Sequence, residues 1–500
     1  MISRRTFYKH RLVAMGDSMA QGFKNGGIYR TDLSFPALLS QAMGSETTFE
    51  SPVFTAQTGI PINIEMLVRA MAEEFGEEIT WNEYLRAGKH LYSTLRRIKT
   101  YWEGEKKPLN IDREFPYQNQ AIWGLSISDA WLLHEKYCFD QITKTKPRYT
   151  VFSVLPDNAL YVTGRLVLNP SYSKKRREKT MIDNVKEIGE DGGIENLICC
   201  IGHNNIVGAV TNLELIYSEE NDLNVPHGKR TCTLFRPEHF EDEIRILFQK
   251  LSKISVKRVF VPTIPYLTIP PAIRGVNNDK TKPRTGYFDY YSRFWIWDED
   301  FDPDKHPHLT KEQAIKLDQH VDQYNKIIYE QAEEFGFYVV PVSRYVSAAA
   351  RRRLGAEKVQ PFPKLFIEAL RNNPKTAYLA ENPEQPRIST DYIRLKENSR
   401  QLDRGGIFSL DGLHPTTIGY GLIANIYKER MEKEGVEFEH NVNWDFIIES
   451  ETLVNNPPLL LNDLRVLLRF LAFGNGEKFT KIGQNLLQNV LEMFSSRTYE

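Results

Sequence analysis

The sequence predicts an α/β protein: a three-layer, doubly wound core in which helices cover both faces of a parallel sheet. Short, continuously apolar runs recur along the chain, and each is followed by a glycine or polar turn and then by a helical pattern. Continuous apolar character is typical of strands buried on both faces, as in parallel sheets. The predicted strands are 11–15, 119–123, 149–155, 196–201, 258–263 and 337–342.

The clearest predicted helix covers residues 310–334. Thr310 is its expected N-cap, and Gln313, three residues later, completes a capping box. The helix leads directly into the apolar run at 337–342. A parallel α/β core requires such a direct connection from a helix to the next strand.

Three long segments do not fit a compact core. Residues 45–113 are rich in charged and aromatic side chains, 277–307 are dense in aromatic residues, and 347–404 are basic with scattered prolines. We interpret them as large, mostly helical insertions in one core that spans residues 1–437. Residues 438–500 are expected to form a C-terminal helical extension packed on that core. Loops beyond the strand ends carry function in such folds.

Charge and hydropathy exclude two classes of partner. The 500 residues carry a formal net charge of -1, so no global field favours nucleic acid or an anionic membrane surface. The apolar stretch 457–473 is interrupted by Asp463, Arg465 and Arg469 and is too short and too charged to span a bilayer. We expect no nucleic-acid partner and no stable membrane insertion.

The cysteine pattern and the N-terminal residues predict a cytoplasmic protein. Cys138, Cys199, Cys200 and Cys232 have no CxxC spacing, so we interpret them as reduced and buried. The first residues are basic but have no apolar region before the first predicted strand, and we therefore expect no signal peptide.

A candidate nucleophile follows the first predicted strand in Gly16-Asp17-Ser18. Ser18 would lie on the turn that opens a helix, where backbone N–H groups favour a developing negative charge. The motif is not a GxSxG elbow, because Ala20 occupies the place of the second glycine. Asp17 could fix the geometry of this turn, or it could simply cap the helix.

A candidate base lies near the other end of the chain, in the motif Asp411-Gly-Leu-His414-Pro415. The spacing of three residues lets both side chains leave the same side of one turn. The Asp411 carboxylate can then reach one imidazole nitrogen of His414 while the other nitrogen faces outward. Pro415 and the following helical pattern would hold this loop rigidly.

Acyl transfer also needs hydrogen-bond donors for the oxyanion. Gly124 follows one predicted strand and can offer a closely approachable N–H group. Asn204 follows another strand and offers a carboxamide. Asn158, which also follows a strand-like run, is the alternative, but Gly202 before Asn204 favours Asn204. With the N–H of Ser18, Gly124 and Asn204 would form a three-donor oxyanion hole.

In this order, the four blocks resemble the motifs of the SGNH (GDSL) hydrolases, a family named for its Ser, Gly, Asn and His. The resemblance covers about half of the chain. It implies a flavodoxin-like three-layer fold and esterase, lipase, thioesterase or carbohydrate-deacetylase activity, with no metal and no cofactor. The implied roles are Ser18 as nucleophile, Gly124 and Asn204 as oxyanion donors, His414 as base and Asp411 as its orienting carboxylate, which completes a catalytic triad.

The sequence departs from the usual family pattern in three ways. The first block reads GDSMAQG where GDSLT or GDSIT is commoner, and Asn205 stands where an aspartate is usual. That change puts in doubt the support that an aspartate would give the neighbouring loop. The gaps between the blocks are long, which leaves the substrate open.

The resulting hypothesis is a serine hydrolase that cleaves a carboxylic ester through an acyl-enzyme on Ser18. Its substrate would be a small-molecule ester, either a lipid or an acylated sugar. Two alternatives stay open. The same intermediate could pass its acyl group to a sugar or alcohol, which would make the protein an acyltransferase. The large insertions could instead indicate a catalytically silent binding protein with the same fold.

Three further features receive structural interpretations. His306 and His308 lack a carboxylate or a third histidine at ligand spacing, so we expect a loop rather than a metal site. His203 is expected to pack beside the site, although it could touch the substrate. The aromatic residues at 287–297 could wall a substrate cleft or pack into a small core of their own.

Overall fold

A computed structural model describes residues 8–45, 48–54, 58–80, 82–103, 113–145, 155–276, 286–350 and 361–462 of the chain. The predicted α/β class with a parallel sheet is confirmed. The strands are β1 (His10–Gly16), β2 (Gly27–Ile28), β3 (Ile60–Pro61), β4 (Ile194–Cys200), β5 (Val256–Pro262), β6 (Ile273–Gly275), β7 (Tyr290–Arg293), β8 (His308–Thr310), β9 (Tyr338–Val340), β10 (Arg394–Leu395) and β11 (Leu402–Arg404).

The central sheet has four parallel strands in the order β1-β4-β5-β9. These strands match the predictions at 11–15, 196–201, 258–263 and 337–342. Leu12 to Gly16 in β1 and Asn196 to Cys200 in β4 are buried without interruption. Their continuous burial explains why both strands read as unbroken apolar runs rather than as alternating patterns.

The predicted strand at 119–123 is replaced by an irregular edge segment. The segment runs parallel to β1, where Ala14 N–H donates to the Gln118 carbonyl at 2.8 Å and Ile122 N–H donates to the Gly16 carbonyl at 3.0 Å. The Asn119 side chain accepts from Ala121 N–H at 3.1 Å and donates to the Ala20 carbonyl at 3.0 Å. Such local side-chain bonds compete with a regular strand ladder.

Numbered along the chain and counted with this edge segment, the five parallel segments lie in the spatial order 2-1-3-4-5. The chain adds the edge segment on one side of β1 and then adds β4, β5 and β9 on the other side. The order of the strands therefore reverses between β1 and β4. The predicted strand at 149–155 lies outside the described residues except for Leu155.

The described residues form sixteen α-helices. They are α1 (Ser18–Gln21), α2 (Phe35–Ala42), α3 (Ile64–Phe75), α4 (Tyr84–Glu103), α5 (Asp129–Leu132), α6 (Glu135–Lys144), α7 (Ala159–Leu168), α8 (Met181–Glu190), α9 (Gly208–Asn212), α10 (Pro237–Leu251), α11 (Lys311–Phe335), α12 (Val342–Ala350), α13 (Lys364–Asn372), α14 (Thr417–Lys433), α15 (Trp444–Ser450) and α16 (Thr452–Asn455). Helix α2 packs on α14, α10 packs on α11, and both α11 and α14 contact β9.

Helix α11 begins with the predicted capping box. The Thr310 hydroxyl accepts from Gln313 N–H at 3.3 Å, and the Gln313 side chain accepts from Thr310 N–H at 2.8 Å. Both bonds satisfy N–H groups that a helix leaves without intrahelical partners. The helix ends at Gly336, whose left-handed backbone (φ +69°) suits glycine.

The described part of the aromatic segment differs from the mostly helical insertion that was expected. It contributes β7 to a three-stranded antiparallel sheet with β6 and β8. Tyr291, Phe294 and Trp295 are buried there, and Phe294 stacks on Tyr392 with ring centroids 4.2 Å apart. These side chains are part of the buried hydrophobic core.

The four cysteines are free and buried, as predicted. Across the described part of the chain, none of the helices combines the length and the apolar character needed to cross a bilayer.

Candidate active site

The turn that carries Ser18 is shaped by Gly16 at the end of β1. A Cβ atom on Gly16 would lie only 1.9 Å from the Cys200 carbonyl oxygen of β4, and its φ of +146° is one that other residues rarely adopt. The absence of a side chain therefore lets β1 and β4 end side by side. The chain turns at Asp17, and Ser18 is the first residue of α1.

Asp17 holds this turn through two contacts. Its fully buried carboxylate caps α1 by accepting from Met19 N–H at 3.1 Å. Its second oxygen lies 2.9 Å from Nδ1 of His203, on the turn that follows β4. Asp17 thus caps α1 and also links two site loops. From the sequence, capping the helix and fixing the geometry of the Ser18 turn were alternatives.

Asp411 and His414 lie against each other on one turn. One Asp411 oxygen accepts from the N–H groups of Leu413 and His414, both at 2.8 Å. The other accepts from Gly26 N–H at 2.9 Å and lies 3.3 Å from His414 Nδ1. The fully buried carboxylate therefore lies directly behind the imidazole.

Opposing influences set the pKa of Asp411. Burial raises the pKa of this carboxyl, but the His414 imidazole and the N–H groups of His414 and Gly26 outweigh burial, so the pKa lies below its ordinary value. Asp411 is therefore a carboxylate at neutral pH. It is suited to hold a hydrogen on Nδ1 of His414 and to stabilise a protonated imidazole.

Residues soon after Ser18 hold the Asp411 loop. Leu410 N–H donates to the Asn25 side chain at 3.0 Å, and Asn25 N–H donates to the Ser409 hydroxyl at 2.9 Å. Asn25 has a left-handed backbone (φ 52°), which asparagine tolerates in turns. Asn25 was not among the predicted site residues. The Asn-Gly pair that it begins is a turn motif and could have indicated this turn.

Asn204 lies in the 3₁₀ helix His203–Asn205, directly after Gly202. Its Nδ2 donates to the Leu125 carbonyl at 2.9 Å. A carboxamide nitrogen carries two hydrogens, so this bond fixes the group and leaves one hydrogen to donate elsewhere. Its neighbour Asn205 accepts from Ile127 N–H at 3.0 Å. The Asn205 carboxamide therefore supports the neighbouring loop, which is the support that an aspartate at this position was expected to give.

The predicted site residues are only partly gathered at one cavity. Ser18, Asn204 and His414 line it together with His203. Among the described residues, Gly124 and Asn158 do not belong to the cavity lining. Gly124 has a left-handed backbone (φ +77°) and precedes Leu125, which accepts the Asn204 bond. Asn158 instead donates its N–H to Glu103 at 3.0 Å, before α7.

The cavity has a volume of about 90 Å³ and is largely apolar. Away from Ser18, its walls come from α12 and from the first half of α14, with Pro265, Leu267 and Pro270 of the loop after β5. Helix α14 starts two residues after Pro415, so the cavity begins beside His414 and continues along this helix.

One group of side chains near Ser18 could be considered for a metal ion. Ligand atoms of Asp17, Cys200 and His203 lie within 4.8 Å of one another. Burial, aided by the Asp17 charge, raises the pKa of the Cys200 thiol well above its ordinary value. Asp17 accepts a hydrogen bond from Met19 N–H and lies against His203, so two of the three side chains have partners within the protein.

The remaining histidine candidates have local partners. His306 Nδ1 accepts from Asp302 N–H at 3.0 Å, and Nδ1 of His308 lies 2.9 Å from the His306 carbonyl oxygen. His306 lies in a loop, as expected, whereas His308 is the first residue of β8.

Comparisons with known proteins give limited information. No protein-family model and no curated protein matches the chain. Among solved structures, the chain is similar to a crystal structure from Parabacteroides merdae that is described provisionally as a GDSL-like lipase. The identity is 12%, the alignment covers 86% of this chain and 97% of the other, and the TM-score is 0.28. A likeness at this level carries no argument about function.

Proposed function

We propose that this protein is a serine hydrolase of the SGNH (GDSL) type that cleaves a carboxylic ester. One observation carries the proposal: Ser18, Asn204 and His414 come from three distant segments and line one cavity. The Asp411 carboxylate lies 3.3 Å behind His414. A nucleophile, a donor and an oriented base at one cavity are the parts that acyl transfer requires.

The arrangement of the sheet supports a flavodoxin-like three-layer core. The segment order 2-1-3-4-5 is the order of flavodoxin-like sheets, in which ligands bind at the carboxyl ends of the strands where the order reverses. Ser18 follows β1 and Asn204 follows β4. The candidate residues therefore lie where this fold class binds its ligands.

In the proposed first step, the Ser18 hydroxyl oxygen attacks the ester carbonyl carbon and its proton moves to Nε2 of His414. The bond from Ser18 Oγ to carbon forms, and the carbonyl electron pair moves onto oxygen. Asp411 stabilises the imidazolium through Nδ1. The carbon–oxygen bond of the alcohol then breaks, and the alcohol leaves with the proton from His414.

The negative oxygen of the tetrahedral intermediate needs donors. The second amide hydrogen of Asn204 and the N–H group of Ser18 are the proposed donors at the cavity. The N–H of Gly124 is the third proposed donor, although Gly124 itself does not line the cavity. Because Asn204 is anchored to Leu125, its donor is fixed before the reaction. Pre-positioned donors of this kind are each worth about 3–4 kcal/mol to the transition state.

The second step repeats the chemistry with water. His414 takes a proton from a water molecule, whose oxygen attacks the acyl carbon, and the bond from carbon to Ser18 Oγ breaks. The proton on His414 returns to Ser18. The products are one carboxylic acid and one alcohol for each ester consumed.

A fluorophosphonate reacts with activated serines and tests the proposal directly. By intact mass, we expect one adduct on the wild type and none on Ser18→Ala. Ser40→Ala is the matched control, because Ser40 is buried on α2 away from the cavity and its variant should be labelled like the wild type. Equal labelling of Ser18→Ala, or no adduct on the wild type, would refute the proposal; the latter would favour a silent binding protein.

We further propose that residues 1–437 form this core, with insertions at 45–113, 277–307 and 347–404, and that 438–500 is an extension packed on it. In support, Glu451 accepts from Thr417 N–H at 2.6 Å, and Trp444 and Ile447 pack over Gly421 of α14. Removal of 438–500 should therefore lower Tm. An unchanged Tm would contradict packing on the core.

A further inference from the structure

The loop that follows Gly124 is held at two nearby points by adjacent residues of the turn after β4. Asn204 Nδ2 donates to the Leu125 carbonyl at 2.9 Å. The Asn205 side chain accepts from Ile127 N–H at 3.0 Å. The two bonds tie the loop that begins at Gly124 to the turn that carries Asn204, and both of these residues are proposed oxyanion donors.

A buried carboxyl group lies behind Asn205. Asn205 Nδ2 donates to one oxygen of Glu243 at 3.2 Å. The other oxygen of Glu243 accepts from Asn224 N–H at 3.4 Å. Glu243 is on α10, and both Asn205 and Glu243 are only 1% exposed. The Asn205 carboxamide is therefore held in one orientation, with its oxygen toward Ile127 and its nitrogen toward α10.

A buried ion pair holds the next residues of the same loop. Arg230 Nη1 lies 3.0 Å from Asp129, and both side chains are fully buried. Arg230 Nη2 donates to the Ser128 hydroxyl at 2.7 Å. Burial raises the pKa of the Glu243 carboxyl, and the Arg230 charge lowers it by less. A third carboxyl group beside Asp129 and Glu243 would therefore be costly, because charge is poorly solvated there.

We propose that Glu243 is a positioning residue for the oxyanion hole and acts through Asn205. This inference rests on the proposed ester hydrolysis and adds to it a residue outside the four sequence motifs. Position 205 supplies an acceptor toward Ile127 and a donor toward Glu243, and a carboxamide offers both, whereas a carboxylate offers acceptors alone. This accounts for asparagine rather than aspartate at position 205, and an exchange of the amide between the two positions should preserve the function.

That exchange is the test, measured as steady-state kinetics with one ester. Asn205→Asp should lower kcat at least about tenfold with little change in KM, because small misplacements of reacting groups have effects of that size. Glu243→Gln should also lower kcat, by a smaller factor, since one side of its amide would face a hydrogen-bond donor. The double variant restores a donor and an acceptor across the pair, and its kcat should return to within about threefold of the wild type.

Asn196→Asp is the matched control for a newly buried carboxyl group. Asn196 is fully buried within β4, and its Nδ2 donates to the Arg11 carbonyl at 3.0 Å. This variant should lower Tm but keep the wild-type kcat at temperatures below Tm. Asp242→Asn, at an exposed position of α10, is the control for Glu243→Gln and should keep both Tm and kcat.

The recovery in the double variant separates positioning from stability alone, because a purely structural role would move Tm without this pattern in kcat. If Asn205→Asp does not fold, the double variant should still fold and exceed Glu243→Gln in kcat. Wild-type kcat in Asn205→Asp, or a double variant no better than Glu243→Gln, would overturn the positioning role alone. No ester hydrolysis by the wild type would overturn the proposed function and this inference together.

Discussion

Nδ1 of His203 lies 2.9 Å from a carboxylate oxygen of Asp17, and this contact joins the turn that carries Ser18 to the turn that carries Asn204. The two residues are 186 positions apart in the chain. The two side chains lie within hydrogen-bond distance of each other. The candidate nucleophile and the candidate oxyanion donor are thereby held at a fixed separation.

His203 is therefore expected to act as a positioning residue. His203→Leu should lower kcat of ester hydrolysis by about tenfold to a hundredfold, because small misplacements of reacting groups have effects of that size. KM should change little. His203→Asn, whose amide nitrogen can occupy the place of Nδ1, should recover most of kcat. Equal loss in both variants would argue against the Asp17 contact as the cause.

Asn204 should contribute mainly to the transition state. Asn204→Ala is expected to lower kcat by about 10²–10³-fold with little change in KM, which is the usual effect of removing one oxyanion donor. Asn158→Ala provides the comparison, because Asn158 follows a similar run but does not line the cavity. Steady-state kinetics with one ester measure both variants. An unchanged kcat for Asn204→Ala would contradict the donor role.

Asp411 should be needed for the protonation state of His414. Asp411→Asn keeps the size of the side chain but removes its charge, so under the proposed function we expect kcat to fall by about 10³–10⁴-fold, the effect of the same change at the aspartate of a Ser-His-Asp triad. Fluorophosphonate labelling rates provide a second readout. Wild-type labelling of Asp411→Asn would show that the carboxylate does not activate Ser18 through His414.

The lowered pKa of Asp411 also predicts a pH dependence of stability. A carboxyl whose pKa is lower in the folded state stabilises the fold above its unfolded pKa, near its ordinary value of 3.8, and loses that contribution as the pH falls through the folded pKa. The difference in the free energy of unfolding between wild type and Asp411→Asn should therefore be largest near neutral pH and shrink in acid. Urea titrations across this range measure it, and a difference that grows in acid would contradict the assignment.

Gly16 should be intolerant of any side chain. Gly16→Ala is expected to destabilise the protein by at least about 2 kcal/mol, because backbone strain and a steric clash act together. Gly76→Ala isolates the strain: Gly76 also has a positive φ (+82°), but its added Cβ would have open space. Its cost should be about 1 kcal/mol. Similar urea midpoints for the two variants would show that the Cys200 contact is unimportant.

The features that the sequence predicted well depend on neighbouring residues. The capping box of Thr310 and Gln313 and the Asp411–His414 turn are examples, because each side chain has its partner three residues away. The strands β1, β4, β5 and β9 were also predictable, since burial on both faces leaves a continuous apolar run. The segment at 119–123 was predicted as a strand on the same grounds; it does form backbone hydrogen bonds with β1, but only one regular bridge, between Ala14 and Asn119.

By itself, the sequence determined the α/β class, the four ordered motifs and the residue types available for acyl transfer. Only the tertiary structure decided that Asn204 rather than Asn158 lines the cavity with Ser18, that Gly124 lies outside its lining, and that His203 contacts Asp17. It also decided that side chains of α12 and α14 line the apolar cavity beside Ser18. The physical reason is that motif chemistry depends on a few adjacent residues, whereas these contacts join segments that only the packing of the whole sheet brings together.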